Sequence, residues 1–279
     1  MDEPFYQRIA VASAFSPRFE QVLAEAKRVC QRLGAELNLI YVGEKDENTT
    51  ARFACALAEM ELPPDSLIHY QTGSPADAIL EAVRAHGIEL VVAGALEKEV
   101  VLRPFLGNVA RRLVREASCS VMLFTKPERE PKPLRRIVFY VPEYSEHVKR
   151  ALQQTFLLAG KEQSESLHVI RVYTTFDAAR ATLRANADAT TDDQPAALTL
   201  EQEEDALEEF IDAAGATEIA VEARCIRGNT GFAASDFVQA VEADLLVVPV
   251  EPSSAETSEL PAHIAWVTDV IPCNLWVIR

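Results

Sequence analysis

The sequence predicts an α/β fold of two similar domains, each with a mainly parallel five-stranded sheet and helices on both faces. Short apolar runs rich in β-branched residues alternate with helical patterns of ten or more residues, which is typical of covered parallel sheets. The same order of elements occurs twice in the 279 residues, and a charged segment with three prolines separates the copies. We therefore expect domains over 1–126 and 135–279, joined by a linker over 127–134.

The first copy opens with an apolar strand over 8–13. Apolar residues then recur at helical spacing from Phe19 until Gly34, which is typical of a helix ended by glycine. The remaining elements expected here are strands over 36–42, 67–72, 89–94 and 117–124, and helices over 75–86 and 108–117.

The second copy repeats this order, with strands over 136–141, 166–173, 220–226, 244–249 and 271–278. Helices are expected over 148–160, ending at Gly160, and over 231–241 and 262–270. An insertion over 178–214 has no counterpart in the first copy. We expect its Ala/Asn/Asp/Thr-rich part, 178–197, to be mobile and 198–214 to form an acidic amphipathic helix.

The charge balance argues against polyanionic partners. The chain carries 27 basic and 43 acidic side chains, a net charge of −16. Residues 1–130 hold 15 basic and 19 acidic groups, and the rest holds 12 and 24. We expect no general nucleic-acid binding and no adhesion to anionic membranes. No apolar run reaches the roughly 18 residues of a membrane span.

The cysteine and histidine patterns argue against disulfide and metal chemistry. Five cysteines are widely spaced without a C-x-x-C motif, and the five histidines are equally scattered. Cys119 and Cys273 occupy equivalent places beside the two final strands, where inert packing is the favoured interpretation. Since the first residues are acidic and polar, unlike a signal peptide, we expect a cytoplasmic protein.

Three local motifs resemble the universal stress protein family in its tandem two-domain form. They are 9-IAVASAFSP-17, 73-GSPADAILEA-82 followed by 89-ELVVAG-94, and Gly94, Gly107 and Val109 with twelve residues between the glycines. The resemblance spans almost all of 1–125. Over 135–279 it depends on the order of elements and on the two ends.

The resemblance implies flavodoxin-like (adenine nucleotide alpha hydrolase-like) domains in a non-enzymatic stress-response protein. Family members often dimerise through their last strand. We therefore expect the two domains to pair through strands 121–124 and 275–278, and a homodimer is a further arrangement that the resemblance allows. Such pairing would also cover apolar strand edges that otherwise favour aggregation.

Many family members bind ATP and others do not. The binding members carry G-x-x-G, nine residues and G-S/T, with an acidic residue ending the first strand. Glycines admit phosphate oxygens to the backbone, and the last pair opens a helix whose N-terminus attracts anions. Here Gly94 and Gly107 remain, whereas Glu97 replaces the middle glycine and Ala14 the acidic residue.

The candidate site residues follow from this comparison. Asn108 stands at the hydroxyl position and can serve as a helix N-cap. Val42 matches a backbone contact to adenosine in the family. The full candidate set for an adenine nucleotide such as ATP is Val42, Gly94, Arg103, Gly107, Asn108 and Val109.

The segment 98–115 is the most basic stretch of this acidic chain, with Lys98, Arg103, Arg111, Arg112 and Arg115. These cations could hold a phosphate, or they could form a solvated face or pair with acidic residues of the other domain. In the second copy, Pro249 replaces the first glycine and the loop 251–259 has three carboxylates and no cation. We expect no phosphate there.

Two functions therefore stay open. The first domain binds a nucleotide weakly, or the site is vestigial and the protein is a nucleotide-free scaffold whose acidic second domain engages a protein partner. A hydrolase or kinase is disfavoured because no motif places a base or a metal-binding carboxylate.

Overall fold

The computed structural model describes residues 5–13, 15–16, 18–95, 106–185, 198–251, 260–261, 264–268 and 271–279. Contacts divide the chain into two compact units. The first comprises Met1–Pro133, Val250–Pro261 and Thr268–Arg279, and the second comprises Leu134–Pro249 and Ala262–Val267. Within the described ranges, no helix has the length and apolarity needed to cross a bilayer.

The described part of the chain contains ten strands, of which each half of the sequence supplies five, as predicted. They are β1 (Arg8–Ser13), β2 (Glu36–Val42), β3 (Ile68–Gln71), β4 (Leu90–Gly94), β5 (Ser120–Phe124), β6 (Arg136–Tyr140), β7 (Ser166–Tyr173), β8 (Val221–Arg227), β9 (Leu245–Pro249) and β10 (Asn274–Ile278).

Helices connect these strands. They are α1 (Phe19–Leu33), α2 (Glu47–Glu59), α3 (Pro75–His86), α4 (Asn108–Glu116), α5 (Glu146–Glu162), α6 (Thr175–Ala185), α7 (Leu200–Ala214) and α8 (Thr230–Ala240), with a 3-10 helix over Ala265–Thr268.

The first unit is a sheet with the order β3-β2-β1-β4-β5-β10, parallel except for β10. The second has the order β9-β6-β7-β8, all parallel. Both orders reverse beside their first strand, β1 or β6, which opens a crevice at the carboxyl ends of the strands. The α/β class with mainly parallel sheets is confirmed.

Several predicted elements need correction. The sequence analysis predicted no helix for 47–59, yet α2 forms there and begins with a capping box in which Asp46 and Thr49 exchange side-chain hydrogen bonds. Helix α5 continues past Gly160 because the left-handed turn that ends it lies at Gln163, with φ of 55°. Residues 178–185, expected to be mobile, belong to α6, while 186–197 lie outside the described residues.

The two final strands pair antiparallel, as predicted, with Leu275 opposite Leu123. The Asn274 side chain accepts a 2.9 Å hydrogen bond from the Thr125 amide. Because β10 hydrogen-bonds to β5, it is grouped with the first unit, although the predicted limits place it in the domain 135–279.

Arg279 fixes the end of β10 to the first unit. Its guanidinium donates hydrogen bonds to the carbonyls of Val114 at 2.5 Å and Arg115 at 3.4 Å, at the end of α4. Its amide donates to the Ser120 hydroxyl at 3.1 Å. A cation there satisfies carbonyls that have no partner within the helix and interacts favourably with the negative end of the helix dipole.

We expect Arg279→Ala to lower the free energy of unfolding by about 1–2 kcal/mol, because it leaves helix-end carbonyls without this donor. Urea denaturation measures the change. Arg84→Ala, which removes an exposed arginine from α3, is the matched control and should change stability by less than about 0.5 kcal/mol. Equal effects of the two variants would contradict this assignment.

Candidate functional site

The candidate site lies at the carboxyl edge of the first sheet, where β1 and β4 are neighbours. Gly94 ends β4 and is exposed, whereas Gly107 is buried in front of α4. The Gly107 amide donates a 3.0 Å hydrogen bond to the Ala95 carbonyl, and the Ala95 amide donates to Phe124 at 2.9 Å. The two predicted glycines therefore lie close together beside the switch between β1 and β4.

The N-terminus of α4 differs from the prediction for Asn108. Gly107 is the N-cap, in an extended conformation with φ of −61° and ψ of 155°, and Asn108 is already the first helical residue. No side chain of the described residues caps this helix. The prediction that Asn108 is the N-cap is wrong. Asn108 lies one position after the cap, inside the helix, so its side chain does not accept a hydrogen bond from the first-turn amides. Among the described residues, no side chain at the cap accepts from the first turn, whose amides are suited to an external acceptor.

The other predicted site residues fall into two groups. Val109, in the first turn of α4, and Val42, at the end of β2, are both half-buried, and Val42 lies opposite Gln71 of β3. Arg103, Lys98, Glu97 and Ala14 lie outside the described residues.

The cations on α4 are partly neutralised. The Arg112 guanidinium contacts Asp77 at 2.6 Å and Glu116 at 2.7 Å. Its hydrogen bonds lower the pKa of both carboxyl groups. The alternative that these cations pair with acidic residues of the other domain is wrong for Arg112, because Asp77 and Glu116 both belong to the first unit. Arg115 also has a partner, while the buried Nε atom of Arg111 has none among the described residues.

An aromatic cluster that the sequence analysis missed lies at the same edge. It comprises Phe15, Phe19, Tyr41, Phe53 and Tyr70. The centre of this aromatic cluster is Phe53 of α2, which is 1% exposed. The signal was present in the sequence, because aromatic residues stand after β1, near the end of β2 and within β3, but their partner Phe53 is on a helix that was not predicted.

Two cations cover the aromatic cluster. The Arg52 guanidinium lies 3.8 Å from the centre of the Phe15 ring, and the Lys45 ammonium lies 5.5 Å from that of Tyr70. The Tyr41 ring also passes so close to Gly43 that a Cβ there would lie 2.6 Å from it, so a larger residue would displace the ring. The aromatic cluster with its two cations and the N-terminus of α4 thus both belong to the carboxyl edge of the first sheet.

The second unit fills the equivalent place differently. The registers Arg8↔Glu36 and Arg136↔Ser166 make Arg171 of β7 the counterpart of Tyr41. The Arg171 side chain forms an ion pair with Glu203 of α7 and donates to the Pro142 carbonyl at 2.8 Å. Glu203, 6% exposed, also accepts from the Tyr144 hydroxyl at 2.9 Å. Helix α7 therefore supplies an internal carboxylate that pairs with this arginine.

Two of the discounted histidines come together in the first unit. The rings of His69 and His86 are stacked with centroids 3.7 Å apart and planes 17° apart, and Nε2 of His69 lies 2.9 Å from the Asn38 amide oxygen. Stacked rings hold their nitrogens in parallel planes, which does not suit one metal ion. Among the described residues there is no cluster of three metal-ligating side chains.

Comparison with known proteins shows a family similarity for the first copy. Residues 5–125 match the Universal stress protein family. A stretch of 58 residues is 36% identical to the universal stress protein MJ0531 of Methanocaldococcus jannaschii, covering 21% of this chain and 34% of that protein. This chain thus spans about a third of that relative's length. Residues 5–125, a little under half of the chain, are thus similar to the universal stress protein family.

Solved structures extend the similarity of fold to the whole chain. A universal stress protein from Archaeoglobus fulgidus matches with a TM-score of 0.63 and 15% identity over 97% of this chain and 98% of its own. A functionally unknown protein from Pseudomonas aeruginosa PAO1 matches with a TM-score of 0.69 and 15% identity over 99% and 93%. Because identity is this low, these matches establish the fold alone.

We expect Glu203→Gln to lower the free energy of unfolding by about 1–3 kcal/mol, because Arg171 keeps its charge in a partly buried place without a carboxylate. Chemical denaturation followed by circular dichroism measures the change. Glu204→Gln, at the exposed next position of α7, should change stability by less than about 0.5 kcal/mol. A loss as large for Glu204→Gln would contradict the role of the buried pair.

The stacked histidines predict a dependence of stability on pH. Burial, with a contribution from His86, lowers the pKa of His69, so the unfolded chain takes up this proton at a higher pH than the folded chain. Stability is therefore expected to fall as the pH decreases through about 6.5. Urea denaturation at about pH 7.5 and 5.5 should show a smaller decrease for His86→Gln than for the unchanged protein. An equal or larger decrease would contradict this coupling.

Proposed function

We propose that this protein acts in the stress response by binding and not by catalysis, and that the crevice of its first unit holds an adenine nucleotide weakly. The match of residues 5–125 to the universal stress protein family supports the stress-response role. The observation that carries the nucleotide proposal is the N-terminus of α4, which no described side chain caps and which lies beside the end of β4. Phosphate oxygens are well suited to such open amides.

Other residues at this edge of the sheet favour a nucleotide over an inorganic anion as the ligand. The aromatic cluster offers Phe15 and Tyr41, both half-buried, against which a base can pack. Arg52 and Lys45 lie over rings of the same cluster and add positive charge. Val42, at the end of β2, is the residue that the family resemblance assigns to adenosine.

The same contacts argue for weak binding. The Gly107 amide is already used by Ala95, so it is not free for phosphate. The charge of Arg112 is balanced by Asp77 and Glu116. We therefore propose a dissociation constant of about 0.1–1 mM for ATP, which corresponds to roughly 4–5.5 kcal/mol of binding free energy.

Unreactive side chains support binding without turnover. Burial raises the pKa of the Cys119 thiol to about 12, which keeps it protonated and a poor nucleophile. Burial likewise raises the pKa of Cys30 to about 12. We also propose a cytoplasmic location, which the five free cysteines support, since thiols stay reduced there.

A second candidate function is a scaffold that engages a basic protein partner through α7. Six carboxylates on this helix are exposed, and none forms an ion pair within the described part of the chain: Glu201, Glu204, Asp205, Glu208, Glu209 and Asp212. The helix has no basic residue. The negative potential of α7 would accelerate its association with a cationic surface. Nucleotide binding in the first unit is not required for this association.

Isothermal titration with ATP, ADP and AMP at low salt tests the nucleotide proposal. Asn108→Asp places a carboxylate in the first turn of α4 and should weaken ATP binding about tenfold or more by repelling phosphate, while the helix itself tolerates an acidic residue there. Asn108→Ser, the matched control, should bind at least as tightly as the unchanged protein. The absence of heat for all three nucleotides, or equal affinity of the two variants, would rule this site out.

Capture of partners from cell extract tests the scaffold. Replacing Glu201, Glu204 and Glu208 together by glutamine should release a charge-dependent partner, while Asn108→Asp should retain it. Retention by the triple variant would exclude α7 as the contact surface.

A further inference from the structure

The second unit contains a cleft of about 580 Å³ that the nucleotide proposal does not use. It lies between the carboxyl ends of β7 and β8, marked by Tyr173 and Arg227, and the first turns of α6 and α7. Its volume is within the range of pockets that hold small organic molecules. Ala178, Ala181 and Leu200 contribute apolar wall to the cleft.

The polar groups around this cleft mostly have partners already. The Tyr173 hydroxyl donates to the Leu198 carbonyl at 3.1 Å, and the Thr174 hydroxyl donates to the Asp177 carboxylate at 2.6 Å. The Thr199 hydroxyl accepts from the Gln202 amide at 3.3 Å as the cap of α7. A ligand with many hydrogen-bonding groups would therefore find few acceptors or donors that are free.

Arg227 is the exception. It lines the cleft, is exposed and has no hydrogen-bonding or ionic partner among the described residues. The backbone beside it is constrained at Gly228, whose φ is +155° and whose added Cβ would lie 2.9 Å from that of Ala233. The Gly228 amide also donates to the Tyr173 carbonyl at 3.2 Å. The cleft is thus lined by one guanidinium that has no partner among the described residues.

We propose that this cleft binds a small amphipathic anion, an aliphatic carboxylate whose charge pairs with Arg227 and whose hydrocarbon chain packs against Ala178, Ala181 and Leu200. A guanidinium matches a carboxylate through two parallel hydrogen bonds. A nucleoside triphosphate fits poorly, because a single cation faces it beside the Asp177 carboxylate and little remains to recognise ribose or base.

Titration of the full chain with sodium octanoate tests this proposal, with butanoate and octanamide as matched probes. Octanoate should bind at one site and at least about tenfold more tightly than either probe, since butanoate lacks four methylenes and octanamide lacks the charge. No binding up to about 5 mM, or equal affinity for octanoate and octanamide, would overturn the proposal.

Variants locate the ligand. Arg227→Gln should weaken the binding of octanoate about tenfold or more and leave the affinity for octanamide unchanged. Arg224→Gln, which replaces an exposed arginine of the same strand, should change neither affinity. Ala181→Leu should abolish binding by filling the cleft, with Ala178→Leu as a second variant if the first fails to fold. Unchanged octanoate affinity in Arg227→Gln would overturn the site. Asn108→Asp should not alter octanoate binding, so this outcome is independent of the nucleotide proposal.

Discussion

Parallel pairing of the strands is the constraint from which both units of this protein follow. With β1 between β2 and β4, and β6 between β7 and β9, every parallel strand of a unit delivers its carboxyl end to the same edge. The helices on the return path begin at that edge, so their unpaired amides collect there as well. Each unit therefore has one crevice at this edge, and the side chains that line the crevice determine what it can bind.

The two units meet this constraint with different chemistry at equivalent positions. In the first unit Tyr41 packs with Phe53 and Phe15. These rings are uncharged, so their burial does not require a charged partner, and they can pack against a nucleotide base. Arg171 instead carries a charge into the second unit, and burial of that charge requires Glu203 as its partner. Like α2 in the first unit, α7 precedes the third strand of its unit, and its Glu203 is the structural reason why the second crevice differs from the first.

Sequence patterns predicted the strands well and the site only partly. β1, β2 and β7 have the predicted limits because buried parallel strands are continuous apolar runs whose ends are marked by polar residues or glycine. The aromatic cluster could not be predicted, because its members are brought together by α2, whose helical pattern is weak. Likewise, α7 carries seven carboxylates, and only packing against Tyr144 and Arg171 shows that Glu203 is the buried one. Whether Gly107 or Asn108 caps α4 depends on a backbone angle that residue type does not determine.

Amide hydrogen exchange across the first turn of α4, measured with and without ATP, tests the central claim most directly. If the open N-terminus of this helix receives phosphate, exchange of the amides of Asn108, Val109 and Ala110 slows at saturating ATP, and the first turn of α8 in the second unit does not change. Unchanged exchange at α4 under conditions where ATP binds would contradict the account, because the nucleotide would then occupy a different place in the molecule.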